Sequence, residues 1–161
     1  MPTPTYTPLA NITLGSSATE VNFSSVSGIY RDLILVIAEA PTGGNAFPSI
    51  QFNGDTGTNY FTVFMSGDGS TATSSSNNRT QLDSWVNSGG AGWVLKTSIM
   101  DYSATDKHKS VLTRTDNAAG STDAFAGRWA STSAITAIRV FDRLGGSFRT
   151  GTTMALYGIA A

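Results

Sequence analysis

At 161 residues with no cysteine, the chain fits one domain held by packing and backbone pairing alone, and it excludes disulfide frameworks, thiolate metal sites and cysteine nucleophiles. Charged residues make up 13% of it, against about 25% in an average soluble domain, and Ser, Thr, Gly and Asn stand where charges would. A formal net charge of −1 offers no cationic footprint for a phosphate backbone, which argues against nucleic acid as a partner.

The opening run MPTPTYTPLA alternates prolines, which favour extended backbone, so an extended N-terminal arm is expected over residues 1–10. It has neither the basic patch nor the apolar segment of a secretory signal. The longest apolar run, Leu33 to Ala38, is far short of the roughly 20 residues that span a bilayer, so a soluble protein with no membrane partner is expected.

From residue 11 to 161 the chain reads as a single all-β domain. No window keeps apolar residues at helical spacing for three turns, whereas short runs of Val, Ile, Phe, Tyr and Thr recur between clusters of Gly, Ser, Asn and Asp. This rhythm predicts strands near residues 12–14, 20–23, 32–38, 49–52, 60–65, 81–86, 93–100, 107–114, 125–129, 137–141 and 154–159. About ten such strands suit an antiparallel β-sandwich of jelly-roll type, whose inner faces interdigitate, with a barrel as the alternative.

Individual strands differ in pattern. EVNF alternates, which points Val21 and Phe23 inward. DLILVI is apolar at consecutive positions and is expected mid-sheet with both faces covered. YFTVFM carries Phe61, Val63 and Met65 on one face and Tyr60 and Phe64 on the other, and IRVFD opposes Phe141 to Val140. Two apolar faces need two partners: one is the core, and among a covering loop, a neighbouring subunit and a ligand for the other the density of aromatics favours a subunit, so Tyr60, Phe64 and Phe141 are assigned to a subunit interface and the protein is expected to be a homo-oligomer. Between Ser66 and Thr80 the run SGDGSTATSSSNNRT has almost nothing to bury and reads as a long exposed loop.

Several polar clusters hold residue types that sites use. IMDYSATDKHKS gathers the single histidine, His108, with Asp101, Ser103 and Asp106. A Ser-His-Asp centre needs contacts of about 3 Å and an oxyanion hole. The plainer reading is a reversal between two antiparallel strands, with Asp and Ser bonding backbone N–H groups and with Lys107 and Lys109 outward. In FNGDTGTNY, Asn53, Asp55 and Asn59 offer oxygens at the short intervals Ca2+ takes from a loop. Asn-Gly and Asp-x-Gly are also strong hairpin signals, and a tight turn is the expectation, as it is for Gly67 to Gly69. A glycosidase needs two carboxyl groups about 5 to 9.5 Å apart, which nine Asp and two Glu supply by chance. Trp85, Trp93, Trp129 and Tyr102 are the rings a sugar-binding face would use for stacking, with burial the commoner fate. No catalytic residue, cofactor or metal is assigned.

The runs ITLGSSATEVNFSSV, YRDLILVI, FNGDTGTNY, IMDYSATDKHKSVLTR, AGRWASTSAIT and LYGIA resemble a family of tailed-bacteriophage virion structural proteins, over about Leu9 to Ile159. The resemblance implies a β-sandwich module on the particle and brings no catalytic residues. With neither shaft repeats nor heptads in the chain, a capsid decoration (cement) protein is favoured over a tail fibre. It would be a trimer on the outer surface of the virion head, bound to the major capsid protein, and not an enzyme. On that reading Pro2, Pro4, Tyr6 and Pro8 grip the shell, and several weak arms on one oligomer raise avidity about 10²- to 10⁴-fold. The rival expectation is a receptor- or carbohydrate-binding tail domain that touches a surface glycan through exposed aromatics and the 66–80 loop.

Overall fold

The structure, a computed structural model, describes residues 4–39, 45–87, 92–117 and 120–160. Every regular element among them is a strand: β1 (Tyr6–Thr13), β2 (Glu20–Phe23), β3 (Asp32–Glu39), β4 (Asn45–Ala46), β5 (Pro48–Phe52), β6 (Tyr60–Gly67), β7 (Ala72–Arg79), β8 (Leu82–Asp83), β9 (Val86–Asn87), β10 (Trp93–Met100), β11 (Lys109–Asn117), β12 (Ser121–Trp129), β13 (Ile138–Asp142) and β14 (Thr153–Ile159). An eight-stranded sheet runs in the order β1-β14-β3-β10-β11-β12-β6-β7, and a four-stranded sheet runs β2-β13-β5-β8. β4 and β9 pair as a separate ribbon.

The chain changes sheet at most connections, and only β6–β7 and β10–β11–β12 join consecutive strands within one sheet. This is the antiparallel sandwich of jelly-roll type that the sequence predicts, with two more strands in its two sheets than the ten expected. Its core lies between the sheets. The large sheet contributes Leu33, Leu35, Ile37, Leu95, Ile99, Met154 and Leu156, and the small sheet contributes Val21, Phe23, Ile50, Phe52, Ile138 and Val140, all buried.

Alternation explains most of these placements. EVNF is exposed and buried in strict turn, and WVLKTSIM alternates in the same way along β10. β3 sits mid-sheet between β14 and β10 as expected. Its outward Ile34 is buried, and its outward Val36 and Ala38 are half-buried.

Four expectations are corrected. The extended arm does not reach residue 10, because β1 begins at Tyr6 and pairs with β14 from Tyr6↔Ile159 to Thr13↔Thr153. The tract Ser66 to Thr80 is not a loop. Only its tip turns, around Asp68, whose carboxylate accepts from the N–H groups of Ser70 and Thr71, and Ala72–Arg79 then returns as β7 in register with all of β6. Backbone pairing needs no apolar side chain, so the polar composition hid this strand. Lys109 does not point outward, since it has the parity of the inward residues Val111 and Thr113 and is fully buried. Finally, FNGDTGTNY is a corner that carries the chain from β5 in the small sheet to β6 in the large one, and not a hairpin. It keeps the turn chemistry expected of it, with Asn53 and Gly54 both at positive φ (53° and 69°).

Candidate contact surface

Cross-strand register brings scattered apolar residues onto one surface. On the side of the large sheet that faces away from the core, Tyr157, Ile34, Ser98, Leu112, Ala126 and Val63 stand opposite one another in a row across six strands. The next row is Ala155, Val36, Lys96, Arg114, Ala124 and Met65. On the other side of the first row, Met100, Ser110, Arg128 and Phe61 line up.

Among the described residues eight large hydrophobic side chains are exposed, and six of them, Tyr6, Phe61, Met65, Val94, Met100 and Leu112, lie on this face. The other two, Ile29 and Leu144, lie outside the strands. Single exposed hydrophobics need no explanation; six of eight on one face is a distribution that makes this face the candidate contact surface.

The same face carries an electrostatic conflict. Lys96 and Arg114 are directly opposed across β10 and β11. Both are exposed, and neither has a carboxylate within ion-pair distance among the described residues. Like charges in that position are destabilising. The one acid in the adjoining row, Asp116, accepts the Val94 N–H at 2.9 Å. Two shallow depressions of about 410 and 520 Å³ flank the pair and share Arg114 and Thr122.

The expected interface residues lie elsewhere. Tyr60 is fully buried, with its hydroxyl accepting from the Phe52 N–H at 3.0 Å, and burial pushes its phenol pKa up to about 12. Phe64 also points inward, 5.1 Å from the Phe125 ring and 6.3 Å from Trp85. Phe141 belongs to the small sheet, where the Arg139 guanidinium lies over its ring. The three do not form one surface. The outward set on β6 is Phe61, Val63 and Met65, because Tyr60, Thr62 and Phe64 take the inward phase. Of the arm residues, Tyr6 and Pro8 are exposed within β1 and Pro4 precedes it, while Pro2 lies outside the described residues.

The polar clusters are turns. Asp101 to His108 joins β10 to β11; Asp101 sits at φ 47° and its N–H is capped by Asp32. His108 is exposed. Asn53 Oδ1 accepts from the N–H groups of Thr136 and Ala137, and Asp55 accepts from Gly57, Asn59 and Trp129. These oxygens face donors, as turn residues do, and no cluster of three or more metal-ligating side chains occurs among the described residues. Trp93, Trp129 and Tyr102 are buried and Trp85 is half-buried, stacked on Phe47, so none offers an open ring face to a sugar.

The role of Lys109 was missed by sequence reasoning. Its ammonium donates to the carbonyls of Ala104, Lys107 and Thr132 at 2.6, 2.9 and 3.3 Å, tying the β10–β11 reversal to the segment after β12. Burial lowers its pKa against the opposing pull of Asp106 and Asp101.

No protein-family model and no curated protein sequence matches the chain. Among solved structures, it is similar to galectin LEC-6 of Caenorhabditis elegans at 11% identity and a TM-score of 0.36, over 94% of this chain and 96% of that one. It is similar to alginate lyase Aly36B at 11% identity and a TM-score of 0.34, over 92% and 77% of the two chains. A scytalido-glutamic peptidase aligns at 15% identity and a TM-score of 0.29, over 94% and 66%. The sandwich described above is defined by the chain's own strand pairing.

Proposed function

We propose that this chain is a virion structural protein of the tailed-phage kind, a decoration module that binds the outer surface of the head and adds contacts between neighbouring capsid subunits. The observation that carries the reading is the gathering of Phe61, Met65, Leu112, Met100 and Val94 on the outer face of the large sheet. A cement protein needs a rigid body and an adhesive surface, and no chemistry. The sandwich supplies the first, and this face the second. The sequence resemblance supports the choice of a viral shell as the partner. The adhesive surface moves from the arm and from Tyr60, Phe64 and Phe141 to this face.

The test is occupancy on purified heads. Wild-type protein is expected to decorate the whole head, and the triple variant Phe61→Ser, Met65→Ser, Leu112→Ser to lose most of that binding while keeping its fold. Label confined to the tail, or equal occupancy by the triple variant, overturns the reading.

A second reading, a glycan-binding tail domain, is favoured by one observation, the opposed Lys96 and Arg114, with no ion-pair partner among the described residues, beside a shallow depression. Such a pair suits the carboxylates of an acidic polysaccharide better than a neutral sugar.

A further inference from the structure

The margins of the two sheets are guarded unequally. β1 carries Pro8 and a break in register between Pro8 and Ala10. β2 is four residues long, with Glu20 ion-paired to Arg139 at 2.6 Å, and β8 has only two residues. β7 closes the other margin of the large sheet, eight residues long, in unbroken register with β6 and, among the described residues, unpaired on its far side. Its sequence, ATSSSNNR, holds no proline, lysine or acid. Its one charge, Arg79, stands at the last position, matched by Asp83 at 2.7 Å. An edge strand presents a row of unpaired N–H and C=O groups, and proteins ordinarily blunt it with proline, lysine, bulges or brevity. β7 has none of these.

We propose that β7 pairs antiparallel with β7 of a second copy about a two-fold axis, joining two eight-stranded sheets into one continuous sheet. An antiparallel edge is its own complement under a two-fold normal to the sheet. Charge selects a second copy as the occupant: a strand that recognised an acidic or basic segment would carry the opposite sign, and this one is neutral along its exposed length, like itself. Ser, Thr and Asn side chains also bond well across a ladder.

The symmetry fixes the register. A two-fold of this kind sets one residue opposite its own copy, and centring the joint on the strand places it at Ser75 or Ser76. The two Arg79 side chains are then at least about 20 Å apart along the strands, roughly two Debye lengths at 0.1 M salt. Both outer faces stay on the same side, so Phe61 and Met65 of each copy, one strand in from the joint, flank it. The joint makes a dimer in place of the expected trimer, and it stands whether or not the outer face binds a viral shell.

Sedimentation of the full chain over a range of concentrations is expected to show a dimer. Ser75→Lys combined with Ser76→Lys, a change an exposed edge tolerates, is expected to give a folded monomer. The absence of native cysteine provides a second readout: under mild oxidation Ser75→Cys or Ser76→Cys, whichever lies on the axis, links two chains, while Ser110→Cys on β11 does not. A wild-type monomer or trimer, or a dimer untouched by the two lysines, overturns the proposal. Should the lysine variant fail to fold, the cysteines decide, and linkage at neither serine overturns it equally.

Discussion

The indole N–H of Trp129 donates to Oδ2 of Asp55 at 2.7 Å, tying the end of β12 to the corner between β5 and β6. The same carboxylate accepts from the Gly57 N–H at 2.8 Å and from Asn59. Tyr60 stacks on Trp129 with ring centroids 6.3 Å apart. The bond therefore aligns the aromatic pair that closes this end of the core. Asp55→Ala leaves a buried N–H without an acceptor and is expected to cost about 1–3 kcal/mol in urea denaturation. Asp55→Asn retains an acceptor and costs less. Burial works to raise the Asp55 pKa, but the hydrogen bonds from Trp129, Asn59 and Gly57 outweigh it and hold the carboxyl below 3.8. The stabilisation is complete above the unfolded value and is lost as pH falls through the folded one. Stability measured below pH 3.8 should fall more steeply with acid for wild type than for Asp55→Asn.

Lys109 gives a prediction at the other end of the pH scale. Its ammonium is the shared donor for three carbonyls from two segments, so Lys109→Met is expected to destabilise by about 2 kcal/mol and to expose the β10–β11 reversal to proteolysis. Because burial sets its folded pKa below 10.5, the unfolded chain binds more protons between the two values, and stability rises with pH through that window. Tyr60 has the opposite sign from pH 10 to about 12, since there the folded state keeps a proton that the unfolded state has released. Wild type should therefore gain stability through the Lys109 window, with the Tyr60 loss opposing that gain from pH 10, and should only lose stability above 10.5. Lys109→Met should show only the loss.

Two glycines in strands make a matched pair. At Gly158 the ring of Tyr30 occupies the place where a Cβ would sit, and a ring held against β14 cannot turn aside. At Gly127 the obstruction is the tip of Leu82, a side chain with rotamers to spare. Overpacking costs about 1–3 kcal/mol, so Gly158→Ala should lie at the upper end and Gly127→Ala below it. Thermal unfolding of the two variants in one buffer ranks them, and equal losses would remove the argument from ring rigidity.

These contacts show what a single sequence can and cannot carry. The sandwich was readable because EVNF and WVLKTSIM alternate, and alternation is a property of one strand. The inward side of β6 was not readable, since Tyr60–Phe64 and Phe61–Met65 are both apolar and periodicity separates two faces without saying which meets the core. β7 left no hydrophobic trace, because its place in the sheet comes from backbone pairing with β6. Lys109 did leave one, its shared parity with Val111 and Thr113, but its charge argued for the surface. The outer face of the large sheet exists only through register across β6, β10, β11 and β12, which no local pattern records.

The opposed pair on that face separates the two functional readings. Lys96 and Arg114 are opposed across β10 and β11 with no carboxylate within ion-pair distance among the described residues, the neighbouring Asp116 being engaged by the Val94 N–H, so Lys96→Ser or Arg114→Ser should leave stability unchanged or raise it by about 0.2–1 kcal/mol. If the pair serves an acidic polysaccharide, the double variant should lose retention on an immobilised polyuronate, and wild-type retention should weaken as salt screens the contact. If the face serves a protein shell, both proteins should pass the polyuronate column alike, and head binding should follow Phe61, Met65 and Leu112 instead. Stability that falls on replacing either cation would show that the pair is held by the fold, and the glycan reading would lose its one supporting observation.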